Sequence, residues 1–415
     1  MIKNTLSLFV IVTLVFPFGA FAANPVSNTE MLNSLENEIS HLQKIKNPSL
    51  INTLSDDEIR EIINLGTNWL KAANEPDGHF AYEYFPYEDR YADDDNIVRQ
   101  AGALFELGEI TRRDTNNKYD LDRTIERSIK YFEKLTKSGK YNGKSVRCIT
   151  SDIDGNVCKL GTTSLAFIGI INYVTANPDK VKKYDKLIEG YASYIISMQK
   201  GTGGFREVFS TSTNIAEEKE SSYANGEAFL ALVRYAKWKN YPTDLQSKIK
   251  LTVNYILSSK VPFDASLYLW AMSALKDWDE FKPDARHVIY ARSYSDWRMS
   301  PFKSKRGDVH NFCPYIEGVV SAYSIMEDDL SAKDLEKYDK EIDFWLAKSA
   351  LLQVNDKSLV KYDVMKNRFL KAPIPAWARG GFLTGHLEPS QRIDFTQHCL
   401  SAYMQKLVDI DNKSL

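Results

Sequence analysis

The sequence predicts an all-α protein, an (α/α)6 toroid of alternating outer and inner helices, and three observations carry that expectation. Six segments open on small or polar residues and continue as unbroken apolar stretches: "RQAGALFELGEI", "TTSLAFIGIINYV", "ANGEAFLALVRYAKW", "ASLYLWAMSALKDW", "PYIEGVVSAYSIM" and "TQHCLSAYMQKLV". Helices apolar nearly all round are buried on all sides. Each follows an amphipathic partner whose apolar positions recur at three and four, the spacing of a helix with one face inward. The partners are "EIREIINLGTNWLKAAN", "LDRTIERSIKYFEKLTKS", "KKYDKLIEGYASYIISMQK", "DLQSKIKLTVNYILSSK", "PDARHVIYARSYSDW" and "LEKYDKEIDFWLAKSALLQV". The linkers supply the third observation. Inner-to-outer connections are short and charged, as in "KNYPTDLQ" and "EDDLSAKD", whereas several outer-to-inner connections are long and marked by Gly and aromatics. Long loops of that kind are more often functional than structural, and here all would emerge where the inner helices begin. An open solenoid of helical pairs shares the pattern; the closed ring is the expectation taken forward.

In chain order, residues 1–22 read as a secretory signal: Lys3, then "LSLFVIVTLVFPFGAFA", ending on Ala20, Phe21 and Ala22. Residues 23–54 form an N-terminal extension and 55–415 a single toroid domain. The chain of 415 residues is 43% hydrophobic, enough for a sizeable core, and no segment after the signal is long and apolar enough to span a bilayer. With a net charge of −2 and no long block of Lys or Arg, a nucleic-acid partner is not expected. The protein is expected to be secreted or periplasmic and monomeric.

The first pair leads through "EPDGHFAYEYFPYEDRYADDDN" to Asp94, Asp95, Arg99 and Gln100 at the mouth of an apolar helix. One acid suits the N-cap, but capping leaves Arg99 and Gln100 unexplained. In the second pair, Cys148 and Cys158 flank the polar turn "ITSDIDGNV", and export lets them pair as a disulfide. The third reaches its inner helix through "GTGGFREVFSTSTNIAEEKESSY", the fifth through "RMSPFKSKRGDVHNF" and the sixth through "VMKNRFLKAPIPAWARGGFLTGHLEPSQRID". The fifth outer helix is the weakest, because Pro283 and the short "RHVIYARSYSDW" leave it little room.

"MQKGTGGFREVF", with echoes in "PDGHFAYEY" and "ARGGFLTG", is similar to the helix and Gly-Gly-aromatic turn of the six-hairpin and terpenoid-cyclase-like α/α toroids. The resemblance spans nearly the whole mature chain and rests on architecture. It implies a glycoside hydrolase, polysaccharide lyase or sugar epimerase, with a glycan as partner, and transfers no residue roles.

In such a ring the first turns of the inner helices converge on one mouth. They bring Asp95, Asn96, Arg99 and Gln100; Thr162 and Thr163; Tyr223, Asn225 and Glu227; Asp264, Ser266 and Tyr268; His310, Asn311, Tyr315 and Glu317; Asp394, Gln397 and His398. Glu227 lies one turn into an otherwise apolar helix, where burial would raise its pKa and suit it to general acid work. A capping-box Glu is the plainer alternative. Glu317 is placed similarly, and Asp95 or Asp394 would be the second carboxylate that glycosidic cleavage requires. His310 and His398 are auxiliary candidates. Arg99, Gln100, Asp94, Tyr223, Asn225, Asn311, Arg379 and Arg392 are candidate substrate contacts, with Tyr84 and Trp377 as rings to stack on sugar faces. No cofactor is expected. The alternative is zinc held by His310, Cys313, His398 and Cys399, in a metal-dependent toroid modifying a peptide or isoprenoid. Against it, His398 and Cys399 point about 100° apart on a helix, and Cys313 and Cys399 can instead form a disulfide. A non-catalytic toroid that binds glycan or protein is a further alternative.

Overall fold

The computed structural model describes residues 26–114, 116–220, 223–258, 268–304, 310–363 and 366–413. The expected signal segment, Asp264 and Ser266 lie outside the described residues.

Helix α1 (Asn28–Lys46) and helix α2 (Asp56–Ala72) each start at a capping box, Ser27 with Glu30 and Ser55 with Glu58. Each box satisfies two amides that a helix start leaves orphaned, and its serine is worth about 1 kcal/mol. Strands β1 (Glu83–Phe85) and β2 (Arg90–Tyr91) follow. Helix α3 (Ile97–Arg113) is capped by Asn96, whose side-chain oxygen accepts from the amides of Val98 and Arg99. Then come α4 (Asp122–Leu135), strands β3 (Thr136–Tyr141), β4 (Lys144–Ile149) and β5 (Val157–Lys159), α5 (Leu160–Ala176) and α6 (Val181–Met198). Strands β6 (Val208–Ser210) and β7 (Ile215–Ala216) precede α7 (Ala224–Trp238), α8 (Thr243–Leu257), α9 (Tyr268–Phe281), α10 (Ala285–Ser304), α11 (Cys313–Met326) and α12 (Ala332–Ala350). The chain ends with β8 (Val360–Asp363), β9 (Arg368–Lys371), α13 (Pro375–Ala378), β10 (Gln391–Arg392) and α14 (Ile393–Lys413).

Helices α3, α5, α7, α9, α11 and α14 are the inner helices, and each packs against the next. Because α14 also packs against α3, the ring is closed, and the open solenoid is excluded. Their cores are buried all round: every residue of α5 from Leu160 to Val174 is sequestered. The six amphipathic partners wrap them, and the doubtful fifth outer helix is a full 20 residues, starting just after Pro283 and running on through Arg298. No helix among the described residues is long and apolar enough to cross a membrane.

The strands were not anticipated from the sequence. They lie in the outer-to-inner connections as the sheets β10-β1-β2 and β5-β6-β7 and the hairpins β3-β4 and β8-β9. The second outer helix was expected to reach Ser138, but it stops at Leu135, and Thr136–Tyr141 pairs instead with Lys144–Ile149. The loop after β4 is closed by a Cys148–Cys158 disulfide. A second disulfide, Cys313–Cys399, joins the starts of α11 and α14.

A three-fold repeated turn fixes where the inner helices begin. Gly78, Gly203 and Gly380 all have positive φ, near +100°. A Cβ at these glycines would lie 2.1, 2.3 and 2.2 Å from the carbonyl oxygens of Arg127, Leu251 and Leu65, on outer helices α4, α8 and α2. Only glycine tolerates both the conformation and the approach. Two residues on, Phe80, Phe205 and Phe382 are buried. Their amides donate to Gln100 Oε1 (2.7 Å), Asn225 Oδ1 (2.6 Å) and Thr396 Oγ1 (3.1 Å) on α3, α7 and α14.

Candidate active site

The inner-helix starts enclose a cavity of about 900 Å³, a size typical of ligand pockets. Of the residues expected at the mouth, it is lined by Arg99, Tyr223, Glu227, His310, Asn311, Arg392, Asp394 and His398, with Asn96, Tyr315 and Gln397.

Glu227, in the first turn of α7, is 5% exposed. Burial, with the nearby charge of Glu207, pushes its carboxyl up to about 7. Its carboxyl lies against the backbone of Gly161 at the start of α5, where an added Cβ would meet Glu227 Oε2 at 1.9 Å. The bare glycine is what makes room for the acid.

Asp394 is the opposite case. Arg99 Nε lies 2.7 Å from its Oδ2, and Arg392 donates to both oxygens, from Nε at 3.0 Å and Nη2 at 2.6 Å. Burial works against ionisation there, but the Arg392 hydrogen bonds and charge, then Arg99, outweigh it and hold the carboxyl below the usual range. Arg99 also donates from Nη1 to the Tyr82 hydroxyl at 2.7 Å, so two guanidiniums, a phenol and a carboxylate form one rigid array.

His398, on the first turns of α14, has its Nδ1 2.7 Å from Glu317 Oε2. A carboxylate only accepts, so Nδ1 carries the proton and Nε2 is the nitrogen left for the cavity. Glu317 is buried, and its other oxygen accepts from Ser401 Oγ at 2.5 Å. The imidazole also packs against Trp270, with ring centroids 5.5 Å apart. A histidine held by a buried carboxylate and an indole has one resting tautomer and a fixed direction.

Several expected residues do not reach the cavity. Asp94 and Asp95 are exposed, and Asp95 is used locally, accepting from the Asn96 amide and from Gln100 Nε2. Gln100 and Asn225 hold the Phe80 and Phe205 turns rather than a substrate. Glu317 lies behind His398 and does not line the cavity. Tyr84 donates to Asp89 and packs with Tyr91 and Trp377 in a separate aromatic cluster, and Arg379 pairs with Asp356. Asn311 lines the cavity, but its amide is committed to the Leu383 carbonyl and the Cys313 amide. Cys313 and Cys399 are bonded to each other, so the four-ligand zinc set loses both its thiolates.

Lys159, Glu207, Trp270, Arg298, Phe312, Thr384 and Phe395 also line the cavity. Two of them were legible. Counting two residues past the aromatic of each repeated turn gives Tyr82, Glu207 and Thr384, which contact Arg99 or line the cavity. In extended backbone a side chain two residues from a buried Phe returns to the same side. Arg298 was hidden because α10 runs through what read as a loop.

No family model and no curated protein matches this chain. Among solved structures it is similar to a D-mannose isomerase, at 13% identity and a TM-score of 0.61 over 86% of this chain and 98% of the other. It is also similar to a sugar epimerase from a ruminal bacterium, at 11% identity and a TM-score of 0.58 over 85% and 99%. A family 76 α-mannanase of Bacteroides thetaiotaomicron matches at 9% identity and a TM-score of 0.56 over 86% and 97%. At these identities the likeness is one of fold, and the fold is the α/α toroid.

Proposed function

We propose that this chain is an exported carbohydrate-active enzyme that works by acid/base proton transfer on a sugar held in the mouth of the ring. One observation carries the reading: a buried carboxyl raised to about 7 shares a cavity with a histidine fixed by a buried carboxylate. Glu227 keeps a proton to give near neutrality, while His398 offers Nε2 to receive one. Arg99, Arg392 and Asp394 form a preorganised array for hydroxyl groups, and Trp270, Tyr315 and Phe395 supply rings for sugar faces. The structural neighbours named for activity on sugars support the same substrate class. Export is supported by the pattern of residues 1–22 and by two disulfides.

The acid Glu227, with Glu207 and Asp394 in the same cavity, supports cleavage of a glycosidic bond. The His398–Glu317 pair supports a second reading, proton abstraction from a sugar carbon in isomerisation or epimerisation. Incubation in D2O with α-mannan oligosaccharides and with free mannose and cellobiose separates them. Cleavage releases reducing ends, and isomerisation places deuterium on the sugar carbon. In both, Glu227→Gln is expected to lower kcat by about 100-fold or more. Binding of these sugars without turnover, or unchanged turnover in Glu227→Gln, overturns the proposal.

A further inference from the structure

The inner helices enclose a second cavity, of about 240 Å³, at their other end. It is lined by the last turns of α3, α7 and α9, through Arg112, Lys237 and Glu280, whereas the mouth is lined by first turns. It meets solvent at the Lys237–Glu280 pair, whose side chains are 48% and 50% exposed.

Glu317 and Ser401 line this lower cavity, while His398 lines the mouth. Beside the Phe105–Trp270 ring pair, the wall between the two therefore contains one hydrogen-bonded unit: His398 Nδ1 to Glu317 Oε2 at 2.7 Å, and Ser401 Oγ to Glu317 Oε1 at 2.5 Å. Below it the polar lining continues. Gln405 Nε2 lies 3.4 Å from Ser401 Oγ, Ser321 Oγ donates to Gln405 Oε1 at 2.7 Å, and Ser273 lies 3.0 Å from Ser321. Beside Phe105 and Leu230, a polar path thus runs from the dyad down to the lower cavity.

We infer that Glu317 and Ser401 are a proton exit for His398, connecting the catalytic dyad to solvent at the end of the barrel opposite the substrate. When His398 Nε2 takes a proton from a sugar, the Nδ1 proton passes to Glu317. Glu317 gives it to water in the lower cavity through Ser401, whose hydroxyl releases its own proton as it accepts the carboxyl's. One proton enters from the substrate and one leaves to water. A sugar filling the mouth then does not trap it. After the product leaves, Nε2 gives its proton to water in the mouth and Nδ1 takes one back through Ser401 and Glu317, which restores the starting tautomer. Gln405 orients Ser401 and, as an amide, does not itself relay. The inference rests on His398 as the base.

The test reads exchange rather than turnover. In the full chain labelled with ¹⁵N-histidine, the exchange of the His398 Nδ1 proton with solvent is measured by NMR, with His398→Asn assigning the signal. Ser401→Val is expected to slow exchange about tenfold or more, while Ser401→Thr, which keeps a hydroxyl, exchanges as the parent does. If Ser401→Val fails to fold, Gln405→Met, which puts apolar atoms on the same path, decides and should also slow exchange. Parental exchange in the folded valine or methionine variant overturns the inference, as does equal slowing in the threonine variant. Failure of the dyad as catalyst shows separately, as normal sugar turnover in His398→Asn.

Discussion

At the lower end of the barrel, Glu109 is buried against three arginines. Arg112 Nη2 lies at 2.8 Å, Arg234 Nη1 at 3.0 Å and Arg113 Nε at 3.6 Å, and Asn172 donates at 2.7 Å. At the mouth, Glu227 is buried to a similar degree but set against Gly161 and the charge of Glu207. Burial opposes ionisation in both. The arginines reverse it at Glu109, whereas nothing comparable does so at Glu227. The difference teaches that depth does not decide whether a buried acid is structural or chemically poised; the sign of its neighbours does. Glu106, one turn before Glu109 on the same helix, sharpens the point. Its carboxyl is fully buried, with neither oxygen hydrogen-bonded among the described residues, and burial together with Glu317 and Glu109 pushes it well above the usual range.

The comparison breaks most readily at the lower end. Glu109→Gln or Arg234→Met leaves buried charges uncompensated and should cost about 3–5 kcal/mol in urea unfolding. Glu106→Gln replaces a neutral acid by a neutral amide and should stay within about 1 kcal/mol of the parent. Equal losses in Glu106→Gln and Glu109→Gln would remove the distinction.

A pH series on Glu227→Gln comes next. Its folded pKa is raised from 4.5 to about 7, so the native state holds the proton more tightly than the unfolded chain. That contribution is complete below pH 4.5 and is lost as pH rises through about 7. The glutamine variant escapes the loss and should gain on the parent by about 3 kcal/mol between about pH 4.5 and pH 8.5 in thermal unfolding. Parental turnover should fall as pH rises through the same region. A constant stability difference across the series would mean that burial does not hold the proton.

Gly161→Ala should act on chemistry more than on fold. The carboxyl of Glu227 must give way to the new methyl, and kcat/KM should drop about tenfold, equivalent to about 1.4 kcal/mol. An unchanged kcat/KM would show that the acid's position is not set by the glycine. A small effect is also expected at Ser55, the N-cap of the first outer helix, where alanine should cost about 1 kcal/mol by losing a cap and leave turnover unaltered.

The helical ring was legible because its evidence is additive. All-apolar stretches such as Leu160–Val174 and amphipathic partners such as Asp56–Ala72 repeat a pattern over many residues, and no single misreading removes it. Site residues have no such redundancy. Glu227 and His398 stood out as polar groups in apolar helices, but so did Gln100 and Asn225, and only the fold shows that those two serve Phe80 and Phe205. Glu317 was read as an acid lining the mouth, whereas it lies behind the imidazole that it hydrogen-bonds. Lys159 comes from a short strand that local pattern does not announce.

The repeated glycine turn has one more consequence. Its third copy presses Gly380 onto the Leu65 carbonyl of the first outer helix, and Gln353 donates to the Ile62 carbonyl at 2.9 Å. Where the last helical pair meets the first, the barrel is thus knit by the same stitch that joins consecutive pairs elsewhere. The circle has no mechanically privileged seam, so a circularly permuted gene with its ends moved to a short inner-to-outer connection should still yield the same barrel.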